Sequence, residues 1–357
     1  MDDGRADIHE IKAASFDQYY AKIVQGQPPH TPEDLKAQLA TDLDLIKSSK
    51  ADLVAYDLRP TAPIAAAMSG VPSVSVINAY WSPYGERIMT VPDTVGVRKI
   101  GLRFAEFILP RFGPRVMKRV VEPVSALRRA AGLDDYDGDL FQLWAGCDHV
   151  WFPDTDNMAP AEGLPETHIR VGPALWRPKS AGFPTLPTGF GSTRSKVYVS
   201  LGSTGYVHLL PQIVDGLLAA ETDILISARS HELSDEVMSS GRVHVVNYID
   251  GDQACDWADL VVSNGGHPQL MQAFSTGTPV LGVGANFDQL MAMVHAERTG
   301  AAISLHVLRV TPSRVTQDAL KLLQSPEATE CARVQKAEID KIDTGARMEH
   351  ALDSALR

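Results

Sequence analysis

The chain has 357 residues, enough for about two domains by the usual length of ~150 residues each. Its net charge of −11 argues against a general nucleic-acid binder, which would carry a basic bias. Three widely spaced cysteines (Cys147, Cys255, Cys331) show no CxxC or Cys/His ligand spacing, which argues against a disulfide framework or structural zinc and fits a reducing cytoplasm. No apolar run reaches the length of a membrane-spanning helix.

The start, MDDGRADIHE, is acidic and polar and does not read as a signal peptide. Helical spacing follows in TPEDLKAQLATDLDLIKSS (31–49), with room before it for at most an edge strand near ADIHEI. ADLVAYD (51–57) reads as a strand ending at Asp57, TAPIAAAMSG (61–70) as a helix closed by Gly70, and VPSVSVINAY (71–80) as a strand. A mainly helical insertion covers 98–132. HVWFP (149–153) and HIRVGP (168–173) read as the last strands of this half. Residues 173–195 are rich in Pro, Gly, Ser and Thr and read as a linker.

The second half alternates regularly. Strands are expected at 196–203, 223–229, 242–249, 259–264, 279–284 and 301–305. Helices are expected at 209–220, 253–258, 268–277 and 289–300, followed by a helical tail over 312–324 and 327–355. Such alternation specifies a parallel sheet covered by helices on both faces. The reading is therefore α/β, with two Rossmann-like domains. Residues 1–172 form the first, 196–340 the second, and 341–357 a C-terminal helix.

In open α/β sheets, ligands sit beyond the carboxyl ends of the strands. Four such ends in the second half carry polar or glycine-rich turns: Gly202-Ser203-Thr204, Tyr248-Ile249, Asn264-Gly265-Gly266-His267 and Asp288-Gln289. Paired glycines let a ligand approach the backbone, and the helix behind them offers amide N–H groups and a positive dipole end to an anion. A carboxylate and an amide suit neutral hydroxyls instead. Diphosphate on the helix and hexose on Asp288-Gln289 together describe a nucleotide sugar, with Tyr248-Ile249 bordering its base.

The stretch Asn264-Gly265-Gly266, Gln269, Gln272-Ala273, Gly277-Thr278-Pro279, Asp288-Gln289 resembles the donor signature of the GT-B nucleotide-sugar glycosyltransferases, the family of macrolide and flavonoid glucosyltransferases. VYVSLGS, DLVAYDLRP and VPSVSVINAYWSPYG look like other parts of bacterial members. The resemblance implies a UDP- or dTDP-linked donor, a hydroxyl acceptor with a small hydrophobic or lipid-like body, inversion at the anomeric carbon and no cofactor or metal. It departs at three positions. Asn264 stands for the family's His, Gln269 for its phosphate-binding Ser/Thr, and Gln272 for its ribose-binding Glu. His267 either supplies the lost imidazole contact or is an exposed loop histidine.

The family's opening strand and Gly/His loop, which carries the general-base His, has no match. The first Rossmann-like domain reads as incomplete, lacking its first βαβ unit. By resemblance Asp57 is the Asp that orients that His; either the chain start is mis-assigned or shortened, or the chain is a natural truncation that transfers sugar poorly, or Asp57 or another group acts as the base, since His9 and His30 sit in no comparable loop. An impaired sugar-nucleotide binder and a UDP-N-acetylhexosamine 2-epimerase-like enzyme are the alternatives to transfer. Two further features stand apart. Residues 98–119 hold seven Lys and Arg against the single acid Glu106, interleaved with aromatics. They fit either a lid with its apolar side inward or a peripheral contact with an anionic membrane. Asp154-Thr155-Asp156 mimics a Mg²⁺-binding DxD, a spacing common by chance.

Overall fold

The computed structural model describes residues 7, 9, 11, 21, 22, 24, 25, 27–175, 182–202, 205–228 and 233–357. Of the edge strand expected near ADIHEI, residues 6, 8 and 10 lie outside them, and Asp7, His9 and Ile11 are not in a strand. The first described helix, α1 (Pro32–Ser49), starts where the sequence is built for it. Thr31 caps the Asp34 N–H, Asp34 returns the bond to the Thr31 N–H, and Pro32 opens the first turn.

Four short strands then form a parallel sheet in the order β1 (Val54–Tyr56), β2 (Ser73–Val76), β3 (His149–Phe152), β4 (His168–Arg170). α2 (Ala62–Ser69) links β1 to β2, and Gly70 ends it at φ +67°. Between β2 and β3 lie α3 (Val95–Ile100), the long α4 (Leu102–Ala130) and α5 (Leu140–Ala145). The strand expected over 71–80 is shorter. It stops at Val76, and Ala79–Trp81 coils into a 3₁₀ turn that the apolar pattern does not distinguish from strand.

The second sheet has six parallel strands in the order β10-β9-β8-β5-β6-β7. They are β5 (Ser195–Ser200), β6 (Thr222–Ser227), β7 (Val243–Val246), β8 (Leu260–Ser263), β9 (Val280–Gly284) and β10 (Ala302–His306). One face buries Val214 and Leu217 of α6 (Leu210–Ala219) with Val315 and Ala319 of α11 (Pro312–Leu323). The other face packs against Cys255 of α8 (Gly251–Trp257), Phe274 of α9 (His267–Thr276), Met291 of α10 (Phe287–Arg298) and Ala332 of α12 (Pro326–Ile339). Each fully buried Val, Leu, Phe or Met among them contributes about 1.5–3 kcal/mol. Because β5 has β6 on one side and β8 on the other, the chain order reverses there and opens a crevice at the carboxyl ends.

Two features go beyond the sequence reading. The 327–355 part of the tail is two helices, α12 and α13 (Thr344–Ala355), and α13 returns to the first sheet, where Ala351 and Ala355 pack on Val74, Trp151 and Val171. The described end of the Pro/Gly-rich stretch is also anchored. Phe183 and Phe190 lie against Trp257, and the Gly191 N–H donates to Asp223.

Candidate functional site

A cavity of about 520 Å³ opens at the crevice, lined by Ser200, Gly202, Val207, Ile226, Asn247 and Tyr248 among others. Gly202 follows β5 at φ +62°, and a Cβ there would come within 3.1 Å of Asn264 Nδ2. Tyr248 stands half out of the protein, but Ile249 is buried in the core and does not line the cavity. The expected Tyr248-Ile249 pair thus reduces to Tyr248. Ser203 and Thr204 lie outside the described residues.

The turn after β8 forms the next wall. Gly265 adopts φ +76°, a conformation costly for any side chain, while Gly266 is extended and heads α9. The sequence suggested several free amides here; the structure leaves fewer. Ser263 Oγ accepts the Gly265 N–H at 3.1 Å and Asn264 Oδ1 accepts the Gly266 N–H at 3.0 Å. Pro268 has no N–H, and the Gln269 and Leu270 N–H groups turn back to the Gly266 carbonyl. The His267 N–H is the first-turn donor that remains among the described residues. Gln269 donates from Nε2 to Ser200 Oγ at 2.8 Å, and its Oε1 is buried with no partner among the described residues. Gln272 donates to Asp252 at 2.8 Å.

His267 is not an exposed loop residue. Its ring is buried edge-on to Tyr80, 6.3 Å between centroids, and its Nε2 has no partner among the described residues. Burial pushes its pKa down to about 3, so the imidazole is neutral. His295 stacks on Tyr80 at 5.3 Å, and both its ring nitrogens are buried with no partner among the described residues. Nothing in the local sequence marks His295; only the three-dimensional packing brings it in.

Asp288 and Gln289 separate in role. They lie in the first turn of α10, past the strand end. Gln289 Oε1 accepts the Ala285 N–H at 3.0 Å and the Asn286 N–H at 3.3 Å, closing a capping box with Asn286. Asp288 instead faces the first sheet. Trp81 Nε1 donates to its Oδ1 at 2.7 Å, and Tyr80 OH lies 3.4 Å from the same atom. Desolvation raises the Asp288 carboxyl pKa against the opposing pull of those two donors. Tyr80 is pushed well above its usual range, first by burial and then by the Asp288 charge, and stays a protonated donor. Asn78 Nδ2 supports it with a 2.8 Å bond to Tyr80 OH. The sequence drew attention to NAYWSPYG for its aromatics, but it could not assign Tyr80 and Trp81 to Asp288, 207 residues away.

Asp57 stands at the carboxyl end of β1, open to solvent at its tip. The protein around it, and then the Asp288 charge, raise its pKa. The next residue, Leu58, is held at φ 45°, so the turn carrying Asp57 is strained. His9 is exposed, and His30 Nδ1 lies 3.3 Å from Gln38 Nε2 of α1. The DxD is an ion-pair lock. Asp154 and Asp156 both pair with Arg170, and Asp154 Oδ2 also accepts the Ala79 N–H at 2.6 Å.

Two parallel sheets, the second doubly wound, meeting across a cleft that joins an open strand-end cavity to a half-buried carboxylate, define a GT-B-type glycosyltransferase scaffold. Residues 197–345 match the glycosyltransferase family 28 C-terminal domain. A PGL/p-HBAD biosynthesis rhamnosyltransferase of Mycobacterium bovis (strain BCG / Pasteur 1173P2) is 30% identical over 324 residues, covering 91% of this chain and 71% of the relative. A PGL/p-HBAD biosynthesis glycosyltransferase of Mycobacterium tuberculosis (strain ATCC 25177 / H37Ra) is 28% identical over 349 residues, covering 98% and 80%. The calicheamicin glycosyltransferase CalG4 superposes with TM-score 0.66 at 18% identity over 97% of this chain and 82% of that one. The spinosyn rhamnosyltransferase SpnG complexed with thymidine diphosphate superposes with TM-score 0.62 at 14% identity over 94% and 80%. The chain belongs to the GT-B nucleotide-sugar glycosyltransferases, enzymes of the hexosyltransferase class. No helix among the described residues is long and apolar enough to cross a membrane.

Proposed function

We propose that this protein transfers a hexose from a UDP- or dTDP-linked donor to a hydroxyl on a hydrophobic acceptor, with inversion and without a metal. The observation that carries this reading is the continuity of one surface. It runs from Tyr248 and Gly202 through Asn264 and Gln269 to His267, Tyr80 and Asp288. The base and ribose occupy the cavity beside Tyr248. The diphosphate lies at the start of α9, where the helix dipole and the His267 N–H stabilise the charge that develops as the leaving group departs. Gln269 favours the same role. With its carboxamide turned, Nε2 faces the diphosphate while Ser200 Oγ donates to Oε1.

Asp288 accepts from a sugar hydroxyl and holds the anomeric carbon toward the first sheet. The acceptor oxygen attacks that carbon, the bond to the diphosphate oxygen breaks, and Asp57 receives the hydroxyl proton. Its raised pKa makes it a stronger base than an ordinary aspartate. The rhamnosyltransferase relative makes rhamnose the first sugar to test.

Calorimetry with UDP and dTDP, followed by transfer assays from their rhamnosyl and glucosyl forms to a long-chain alkylphenol, tests the reading. Binding of one nucleotide is expected. So is a fall in transfer of about 10–100-fold for Asp288→Asn, the worth of one charge-assisted hydrogen bond. If neither nucleotide nor its sugars bind, the reading is wrong.

A further inference from the structure

The surface of α4 stands out from the rest of the molecule. Its inward side carries Ala105, Gly113, Val121 and Val124, which pack on the loop before it and on the first domain's core. Gly113 is tight enough that a Cβ would fall 2.5 Å from Met89 Cε. That side is small and fully used. The outward side carries Phe104, Phe107 and Phe112, which are 53%, 63% and 50% exposed, with Val116 at 49%. These aromatics therefore point away from the protein, opposite to what a lid with its apolar side inward requires.

The charges on this element are one-sided. Residues 98–119 contain seven Lys and Arg against one Glu, in a chain of net charge −11. Arg98 is engaged with Asp93, and Glu106 is engaged with Arg309. Lys99, Arg103, Arg111, Arg115, Lys118 and Arg119 form no ion pair with an acid among the described residues. Arg111 and Arg115 lie over the rings of Phe107 and Phe112, at 4.5 and 5.8 Å. On an α-helix, with 100° per residue, Phe104, Phe107, Arg111, Phe112, Arg115, Lys118 and Arg119 fall on the same half of the circumference. Cations and aromatics are thus interleaved on one face. That is the chemistry of a membrane interface, where rings enter the acyl boundary and long basic side chains reach anionic headgroups. A protein partner would have to cover the aromatics and supply acid for the four cations of this face; a sheet of anionic lipid does both.

We infer that the outward face of α4 docks the protein on an anionic lipid surface. The same helix lies over Met89 and Val91. From there the chain runs along the interdomain cleft, with His306 Nε2 against the Val91 carbonyl and the Asp93 N–H donating to the Ala285 carbonyl. Docking through α4 therefore sets the cleft beside the bilayer. The inference needs no assumption about sugar transfer.

The experiment is flotation of the full chain with vesicles of pure phosphatidylcholine and of equimolar phosphatidylcholine and phosphatidylglycerol. Recovery with the anionic vesicles alone is expected, weakening as salt is raised. Two variants separate the contributions. The triple change Phe104→Ser, Phe107→Ser, Phe112→Ser removes the rings. The quadruple change Arg111→Gln, Arg115→Gln, Lys118→Gln, Arg119→Gln removes the charge. Each should lower partitioning at least about tenfold. Both sets are solvent-exposed, and unchanged thermal melting checks that the fold survives. Absence of vesicle binding overturns the inference, as does binding that neither variant weakens. A concentration-dependent dimer seen by light scattering, lost in the phenylalanine variant and unaccompanied by vesicle binding, also overturns it and assigns the face to a second copy.

Discussion

His267 shows how one side chain reports on the cleft. Its spacing from Asn264 placed it at the ligand turn, but the sequence does not reveal that the wall against it comes from the other half of the chain. Tyr80 closes over the ring, water is excluded, and Nε2 is left without a partner among the described residues. A histidine with a depressed pKa carries a pH cost. Below its unfolded value of 6.5 the unfolded chain takes up a proton that the folded chain, with a pKa of about 3, refuses. Stability is then full above 6.5 and falls as the pH drops toward 3. The loss is about 2 kcal/mol between pH 6.5 and pH 5. His295 and His306, also depressed by burial, act in the same direction. His267→Leu removes one of these contributions. Urea unfolding at the two pH values should show the variant losing about 2 kcal/mol less than the parent. Equal losses in both proteins would mean that His267 is protonated in the fold.

At the scale of elements, the β8–α9 turn and the α9–α10 region were legible in different degrees. The paired glycines, the helix after them and the strand before them follow from composition and period. What composition does not show is which glycine bears the strain. Gly265 alone has positive φ, and a Cβ on it would lie 2.6 Å from Met293 Cγ; Gly266 is ordinary extended backbone. Gly265→Ala should therefore cost about 2 kcal/mol in unfolding free energy. Gly266→Ala should cost less, because Gly266 has φ −67° and its nearest neighbour to an added Cβ is 3.1 Å away, and the order of the two in denaturant melts checks the assignment. The Asp288-Gln289 pair teaches the reverse lesson. Asn286 followed three residues later by Gln289 is a helix-start pattern, and the fold uses Gln289 for that purpose. A residue that matches a ligand motif can also be needed by its own helix, and the two demands compete for the same amide. Asp288 has no such local duty, which leaves its carboxylate to the cleft.

For the whole molecule, the two sheets are tied by segments that leave one half and end in the other. The stretch from Trp81 to Glu106 contributes the Trp81–Asp288, Tyr206–Asp93 and Glu106–Arg309 bonds, and Arg298 pairs with Glu86. The tail then crosses back, and α13 covers the face of the first sheet that α1 and α2 leave open. Sequence periodicity predicts that such a helix exists, but not which sheet it joins, because an apolar stripe does not name its partner. The second sheet has helices on both faces from its own half, so α13 is surplus to it, whereas Val74 and Trp151 would otherwise face water. This assigns the tail a structural duty in the first half. Ala351 is fully buried in that contact, with no room or partner for a charge. Ala351→Glu should cost about 3 kcal/mol. The loss should fall on the half that α13 covers. Limited proteolysis of the variant should open sites near β1 to β4 first, while the second sheet and the cavity beside Tyr248 keep their protection. Cleavage that begins in the second sheet, or a variant as stable as the parent, would show that α13 merely rests on the first sheet and does not hold it.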